Sequence, residues 1–458
     1  MVNYSKVSAE DYENLECLAE AYNLFALFDT PANVIFVDQF ISNINNFKDI
    51  FTRYFSRQNI FFSCKCNKSF ALLKYASEQN CGIEVASNYE LNDALKFTKK
   101  IIASGPAKDD EYLNNSIGNG VLISVDDVEE LKRIKEINRP VRVLLRISDL
   151  LGKVSRFGIN INQIDLCLDI ISNSLIQLEG CSFHINNYSL DDRVNAINEV
   201  LELAESKKLN ISFIDIGGGI PTNYCSKDDY YNFLKQNNKQ MYFKEHFIND
   251  YYPYYSEIAD EKALDYIFKK VYKKLNKKGI EIIIEPGRSL LKNVGISIYE
   301  VQYMKNLFNG ENIVVTNGNI NCLSEQWFNS DYLIEPKLIS KNNNSNNSIL
   351  ASKDNQEVIF LGKGIGFGKK INDIYIPSDG VKKYKMETKE QEKRLPHEII
   401  RNVDPVFIEI ASDIIRFAQE QFDHVDTKIL LPLADHIDFA IKRIQENVNM
   451  SNPFTKDI

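Results

Sequence analysis

Short β-branched runs alternate with longer amphipathic stretches over the first 290 residues of the chain. Eight runs read as strands: 59–64, 82–86, 101–104, 121–125, 141–147, 180–184, 212–216 and 281–284. Helical periodicity fills most of the gaps. Over 190–209, Val194, Ile197, Val200, Leu201 and Ala204 recur at helical spacing. Eight strand–helix repeats predict an α/β fold in which a parallel sheet closes into a (β/α)8 barrel of the TIM type. An open doubly wound sheet is the alternative reading of the same alternation. The gap 221–280, before the last strand, is too long for one helix and predicts an extra lobe rich in Tyr and Phe.

Beyond Ile284 the pattern shortens to strand-like runs at 294–304 and 312–316, followed by SKNNNSNNS at 340–348. That polar stretch has nothing to bury. Strand-like runs resume at 349–351, 358–361 and 373–376. A helix is predicted from Asp404, with Pro405 in its first turn and Phe407, Ile410, Ala411, Ile414, Phe417 and Ala418 along one face. A second has Leu433, His436, Ile437, Ala440, Ile441 and Ile444 on one face and stops at Asn452–Pro453.

Composition adds three points. Hydrophobic residues at 44% and charged residues at 26% of 458 are globular values, which exclude a disordered or fibrous chain. No apolar run approaches the roughly 18–20 residues that cross a bilayer. The opening MVNYSKVSAEDYENLE has no signal-peptide pattern, so a cytoplasmic protein without a membrane partner is expected. The eight cysteines, among them Cys64, Cys66 and Cys181, read as reduced thiols, and with no CxxC pair no metal site is expected. The net charge of −9 is uneven. Residues 338–394 hold 11 Lys+Arg against 7 Asp+Glu, a basic island on an acidic chain, which suggests nucleic acid as that segment's partner.

The polar residues of the barrel region collect at the C-terminal ends of the predicted strands, where a barrel gathers its ligands. Lys65 ends the first, Glu84 lies in the second, Arg146 is near the end of the fifth and His184 ends the sixth. Gly217–Gly218–Gly219 follows the seventh, and Glu285–Pro286–Gly287–Arg288 the eighth. Lys65 follows Phe61–Phe62–Ser63–Cys64, so a partly desolvated amine with a lowered pKa is expected, able to form an imine with an aldehyde. The glycines allow close backbone approach to a phosphate, and Arg288 adds a charged fork. Glu285 can hold a proton on a pyridine nitrogen and His184 can stack on an aromatic ring. Aldehyde, phosphate and protonated pyridine together describe pyridoxal phosphate.

FFSCKCN, GIEVASNYEL, LRI with SRFGI, FHINNYS, FIDIGGGIP and IIIEPGRSLL give residues 1–337 a resemblance to the fold type III pyridoxal-phosphate enzymes, the ornithine, diaminopimelate and arginine decarboxylases. The resemblance implies an amino-acid substrate, Lys65 in imine linkage to the cofactor, and His184 stacked upon it. Gly217, Gly218, Gly219, Gly287 and Arg288 are implied at the phosphate and Glu285 at the ring nitrogen. Glu84, Arg146 and Asn187 support them, and a homodimer is implied. Glu84 stands where the family carries Asp, and Asn186–Asn187 where it carries Gly-Ser. Nothing after Lys337 matches the family's closing Cys–Glu–x–x–Asp segment.

NNSILASKDNQEVIFLGKGIGFGKKINDIYIP resembles the co-antiterminator RNA-binding domain of BglG-type transcription antiterminators, and FIEIASDIIRFAQ with KILLPLADHIDFAIKRIQENVNMSNPF the start of their first phosphotransferase-system (PTS) regulation domain. The glycines there permit close approach, Phe367 can stack, and Lys363, Lys369 and Lys370 can meet phosphates. The resemblance implies RNA-hairpin contacts at Asn346, Asn347, Gly362, Lys363 and Phe367, phosphorylation at His436, and a PTS phosphocarrier as partner. The expected organisation is then an N-terminal β segment (1–30), a pyridoxal-phosphate barrel (31–290), a partial β domain (291–337), a small all-β RNA-binding domain (338–394) and a truncated all-α domain (395–458). The leading expectation is a decarboxylase-type barrel fused to an antiterminator-type RNA-binding segment. The alternative is an RNA-binding regulator whose barrel is vestigial.

Overall fold

A computed structural model of the chain describes residues 30–236 and 253–306 continuously. Beyond these it describes 312–317, 335–340, 356–361, 373–376, 382–383 and 405–421, with residues 430, 433, 434 and 437. After β1 (Ala32–Phe36), eight strands pair in sequence order, every pair parallel: β2 (Phe61–Ser63), β3 (Gly82–Val85), β4 (Ile101–Ala103), β5 (Leu122–Val125), β6 (Val141–Arg146), β7 (Ile176–Ser182), β8 (Phe213–Asp215) and β9 (Glu281–Ile283). A parallel bridge between Ile60 and Ile284 joins the last strand to the first. The sheet is therefore closed, and the open alternative is excluded.

The strands are nearly continuous apolar runs because both faces are covered. On β4, Ile101 and Ala103 join the large cluster shared with the surrounding helices. Ile102, between them, joins Phe61, Leu122, Leu144 and Ile283 in a separate cluster that fills the barrel. The helix Val37–Tyr54 shows how the outer layer is held: Phe40, Ile44, Phe47 and Phe51 are buried. From the same face the Asn43 amide donates to the carbonyls of Leu290 and Lys292 at 3.0 and 2.9 Å, fixing the loop beyond β9.

Seven of the eight expected strands match within a few residues. β7 differs: it begins at Ile176, four residues early, and ends at Ser182, because its ladder with β6 runs across an irregularity at Val143/Leu144. His184 thus lies two residues past the strand, on the rim loop. The expected lobe between β8 and β9 contains the helix Lys227–Gln236 and a packed Tyr224–Tyr254 pair, its rings 6.1 Å apart.

A second, seven-stranded sheet contains β1, β10 (Gly295–Asn306), β11 (Asn312–Thr316), β12 (Glu335–Ser340), β13 (Gln356–Leu361), β14 (Asp373–Ile376) and β15 (Lys382–Lys383). β10 runs antiparallel to β1 and β13, while β14 runs parallel to β1. β12 crosses residue 338, where the sequence places a domain boundary, and no break in the sheet marks it. The chain divides into compact units at Lys385/Met386.

In the second unit, the helix Pro405–Gln421 buries Ala411 and Ile415, with Phe407 and Ile408 beside them. Ile410, Ile414 and Phe417, expected on the packed face, are exposed, because the contacts with Leu430, Leu433, Ala434 and Ile437 cover only a narrower stripe. Asn346, Asn347, Gly362, Lys363, Phe367, Lys369, Lys370 and His436 lie outside the described residues. Among the described residues no helix is long and apolar enough to cross a membrane.

Candidate active site

Lys65 sits in the single helical turn Cys64–Cys66 that follows β2, so its side chain leaves the barrel at the C-terminal rim. Its ammonium lies 3.8 Å from the Glu84 carboxylate on the neighbouring strand. Glu84 is fully buried and accepts hydrogen bonds from the Ser63 and Ser104 hydroxyls. Burial pushes its carboxyl upward, but Lys65 and the two hydroxyls outweigh that and hold it below the usual carboxylate range.

The expectation of an easily deprotonated Lys65 is corrected. Its side chain is 51% exposed, and the charge of Glu84 pushes the ammonium up to about 12. An opposing carboxylate at this range favours the charged amine more than burial disfavours it.

Across the rim, β8 ends in Asp215 and enters the glycine turn. Gly217 and Gly219 have φ of +66° and +72°, the left-handed region that a Cβ disfavours. The turn is also packed too closely for side chains. A Cβ on Gly217 would meet His184 Nδ1 at 2.8 Å, one on Gly218 the Glu285 carbonyl at 2.6 Å, and one on Gly219 Arg193 Nη2 at 2.6 Å. Gly217 N–H donates to Asp215 Oδ1 at 2.9 Å, and Glu285 N–H to the Gly217 carbonyl at 2.9 Å.

Asp215 and Glu285 thereby become neighbouring acids. Burial, and then the Glu84 charge, push Asp215 up to about 7. Burial, then Asp215 and Glu84, raise Glu285 well above its usual value. The Glu285 Oε1 atom is buried and accepts no hydrogen bond among the described residues. His184 is pushed down to about 4, by desolvation first and then by Lys65, Arg146 and Arg193, so its imidazole is neutral at pH 7.

Lys65, Glu84, His184, the three glycines and Glu285 thus converge. Arg288 Nη2 donates to the Tyr188 hydroxyl at 2.6 Å, joining the loops beyond β9 and β7. Arg146 pairs with Asp126 at 2.7 Å and stacks 4.9 Å over the Phe157 ring. Gly287 packs against Cys66, the neighbour of Lys65: a Cβ there would lie 1.9 Å from Cys66 Sγ. Asn187 is the exception. Its amide donates to Asp192 and accepts from Ser189 N–H, so the side chain is occupied at the start of the helix Leu190–Ser206.

Sequence reasoning missed Asp215, Tyr188 and Arg193. Arg193 carried a readable signal, a charged residue at the head of the apolar stripe that continues through Ile197, Val200 and Ala204.

The arrangement can hold an aldehyde that carries a phosphate and a basic ring nitrogen. Lys65 is the amine, the glycine turn and Arg288 suit the phosphate, and the buried Glu285 oxygen is an acceptor lacking a donor. The residues present fit pyridoxal phosphate.

Residues 37–292 match the family model "Pyridoxal-dependent decarboxylase, pyridoxal binding domain", and residues 339–393 match "CAT RNA binding domain". An uncharacterised protein of Sinorhizobium fredii, y4yA, is 28% identical over 332 residues, covering 68% of this chain and 72% of that protein. The diaminopimelate decarboxylase of Aquifex aeolicus is 25% identical over 354 residues, covering 71% and 76%. The protein GlcT of Staphylococcus aureus is 36% identical over 118 residues, covering 25% of this chain and 41% of GlcT. Among solved structures, the diaminopimelate decarboxylase of Helicobacter pylori complexed with L-lysine superposes with a TM-score of 0.61 at 18% identity, covering 79% and 95%. That likeness concerns the fold.

Proposed function

The chain belongs to the pyridoxal-dependent decarboxylase family through its pyridoxal-binding domain, and on that premise we propose that residues 31–290 decarboxylate an amino acid. Pyridoxal phosphate is the cofactor of this family, and the same chain carries a CAT RNA-binding domain. When bound, the cofactor supplies an aldehyde for amines and a protonated ring that withdraws electrons from the carbon losing carboxylate.

The chain's own residues divide the work. Lys65 is the attachment amine, and Glu84 keeps it protonated and aimed. Glu285, supported by Asp215, holds the proton at the ring nitrogen. His184, neutral at pH 7, would stack on the ring of the bound cofactor. Gly217, Gly218, Gly219, Gly287 and Arg288 hold the phosphate, with Asn187 fixing the adjoining loop. Arg146 anchors the neighbouring rim through Asp126. The observation that carries the reading is the convergence on one rim of Lys65, the orphaned Glu285 oxygen and the left-handed glycine turn.

The test is spectroscopic and then chemical. Purified protein mixed with pyridoxal phosphate gains a visible absorbance band, which Lys65→Ala loses, and borohydride reduction labels the Lys65 peptide. Labelled CO₂ is then sought from diaminopimelate, lysine, ornithine and arginine. A band without CO₂ release redirects the reading to another reaction at the α-carbon, such as racemisation. No band at all refutes it and leaves an RNA-binding regulator with a vestigial barrel.

The matches over 339–393 and to GlcT favour a second activity in the same chain. Residues 338–394 bind an RNA hairpin through Asn346, Asn347, Gly362, Lys363, Phe367, Lys369 and Lys370. Residues 395–458 belong to a regulation domain in which His436 accepts a phosphoryl group from a PTS phosphocarrier. A homodimer is part of this proposal, and the mass of the purified protein in solution tests it.

A further inference from the structure

The side chain of Arg193 is 1% exposed, the largest fully buried side chain among the described residues. A guanidinium cannot shed its proton, so burying one requires that its fork of donors be satisfied. It rises from the first turn of the helix Leu190–Ser206 into the space between two rim loops. Nη1 donates to the Asn187 carbonyl at 2.7 Å and the Ser189 carbonyl at 3.1 Å. Nη2 donates to the carbonyls of Gly219 at 2.7 Å, Gly218 at 3.4 Å and Ile185 at 3.5 Å. One cation thus gathers five backbone carbonyls, three from the His184 loop and two from the glycine turn.

A trans peptide points its carbonyl and its N–H in opposite directions. Drawing the Gly218 and Gly219 carbonyls onto Arg193 therefore turns the N–H groups of Gly219 and Ile220 the other way. The same cation sits close enough to lower the His184 pKa, so its charge reaches the site as well as its hydrogen bonds. A Cβ on Gly219 would strike Nη2 at 2.6 Å, which shows how closely the two are fitted.

We propose that Arg193 is a positioning residue for the phosphate: it locks the glycine turn with its N–H groups outward and adds positive charge behind them. This rests on the reading that the turn holds the phosphate of pyridoxal phosphate. In that role Arg193 does from behind the turn what a phosphate-contacting side chain in the His184 loop would do from the front, where Asn187 is occupied elsewhere.

The experiment compares pyridoxal phosphate with pyridoxal, which lacks only the phosphate, as ligands of the full chain. Affinities come from titrating the visible band, and folding is monitored by circular dichroism. Wild type is expected to prefer the phosphorylated form. Arg193→Lys, which keeps the charge but loses the fork, should weaken pyridoxal phosphate about tenfold and leave pyridoxal unchanged. Arg193→Ala should lose more of the preference, and millimolar guanidinium ion should restore part of it. A folded Arg193→Lys with the wild-type preference overturns the inference and leaves the turn as the phosphate site. A wild-type protein that binds both forms equally overturns that underlying reading as well.

Discussion

Glu285 donates its backbone N–H to the Gly217 carbonyl at 2.9 Å, so the half-buried acid beyond β9 and the glycine turn beyond β8 are one mechanical piece. Gly218 closes the joint, since a methyl there would sit 2.6 Å from the Glu285 carbonyl oxygen, a backbone atom that cannot swing aside. Gly218→Ala should therefore weaken pyridoxal phosphate at least about tenfold while the barrel stays folded. Titration of the visible band beside a thermal melt checks this. Unchanged affinity in a folded variant would separate the turn from the cofactor.

Glu84 governs how readily Lys65 can react. An amine attacks an aldehyde only when neutral, and the Glu84 carboxylate holds Lys65 at about 12. Loading of the cofactor should accelerate as pH rises toward that value. Glu84→Gln removes the charge and lowers the Lys65 pKa, so loading near pH 8 should become faster, by about tenfold if one unit is lost. Stopped-flow absorbance over a pH series measures it. Slower loading at every pH would assign Glu84 to contact with the ligand instead.

Stability against pH separates two rim groups that act in opposite directions. Asp215 sits at about 7 in the fold against a usual 3.8. Between those values the folded chain holds the extra proton, so this group makes stability fall as pH rises. His184 sits at about 4 against a usual 6.5. There the unfolded chain holds the extra proton, and stability rises with pH. The opposing slopes flatten the wild-type profile, so the effect appears in differences. Urea denaturation should show Asp215→Asn gaining on wild type between about pH 4 and about pH 7, and His184→Gln losing ground between about pH 4 and about pH 6.5. Parallel profiles for both variants would contradict the two shifts.

Lys363 belongs to the basic run of the RNA-binding segment. Lys363→Ala should weaken binding of an antiterminator-type hairpin and reduce the slope of log affinity against log salt by about one. Gel shifts at several salt concentrations give both quantities. A weaker complex with an unchanged slope would mean that Lys363 reads a base rather than a phosphate.

The barrel was legible in the sequence because each parallel strand, covered on both faces, must be a short apolar run between amphipathic helices. Closure follows from eight such repeats, and the rim residues from being the polar endings of those runs. Lys65, His184, Gly217–Gly219 and Glu285 could all be named this way.

Protonation states were not legible, since they depend on groups far apart in the chain. Glu84 comes within 3.8 Å of Lys65 only when β2 and β3 pair, and this reverses the expected direction of the Lys65 pKa. Asp215 and Glu285 become a raised pair only because β8 and β9 are neighbours. Arg193 gains its role only when the helix Leu190–Ser206 turns it toward two loops at once.

The order of apolar and polar residues thus determined which elements form and which chemical groups reach the rim. Pairing and packing decided which of those groups meet, and with that their charges, because electrostatic interactions depend on distances that linear spacing does not fix.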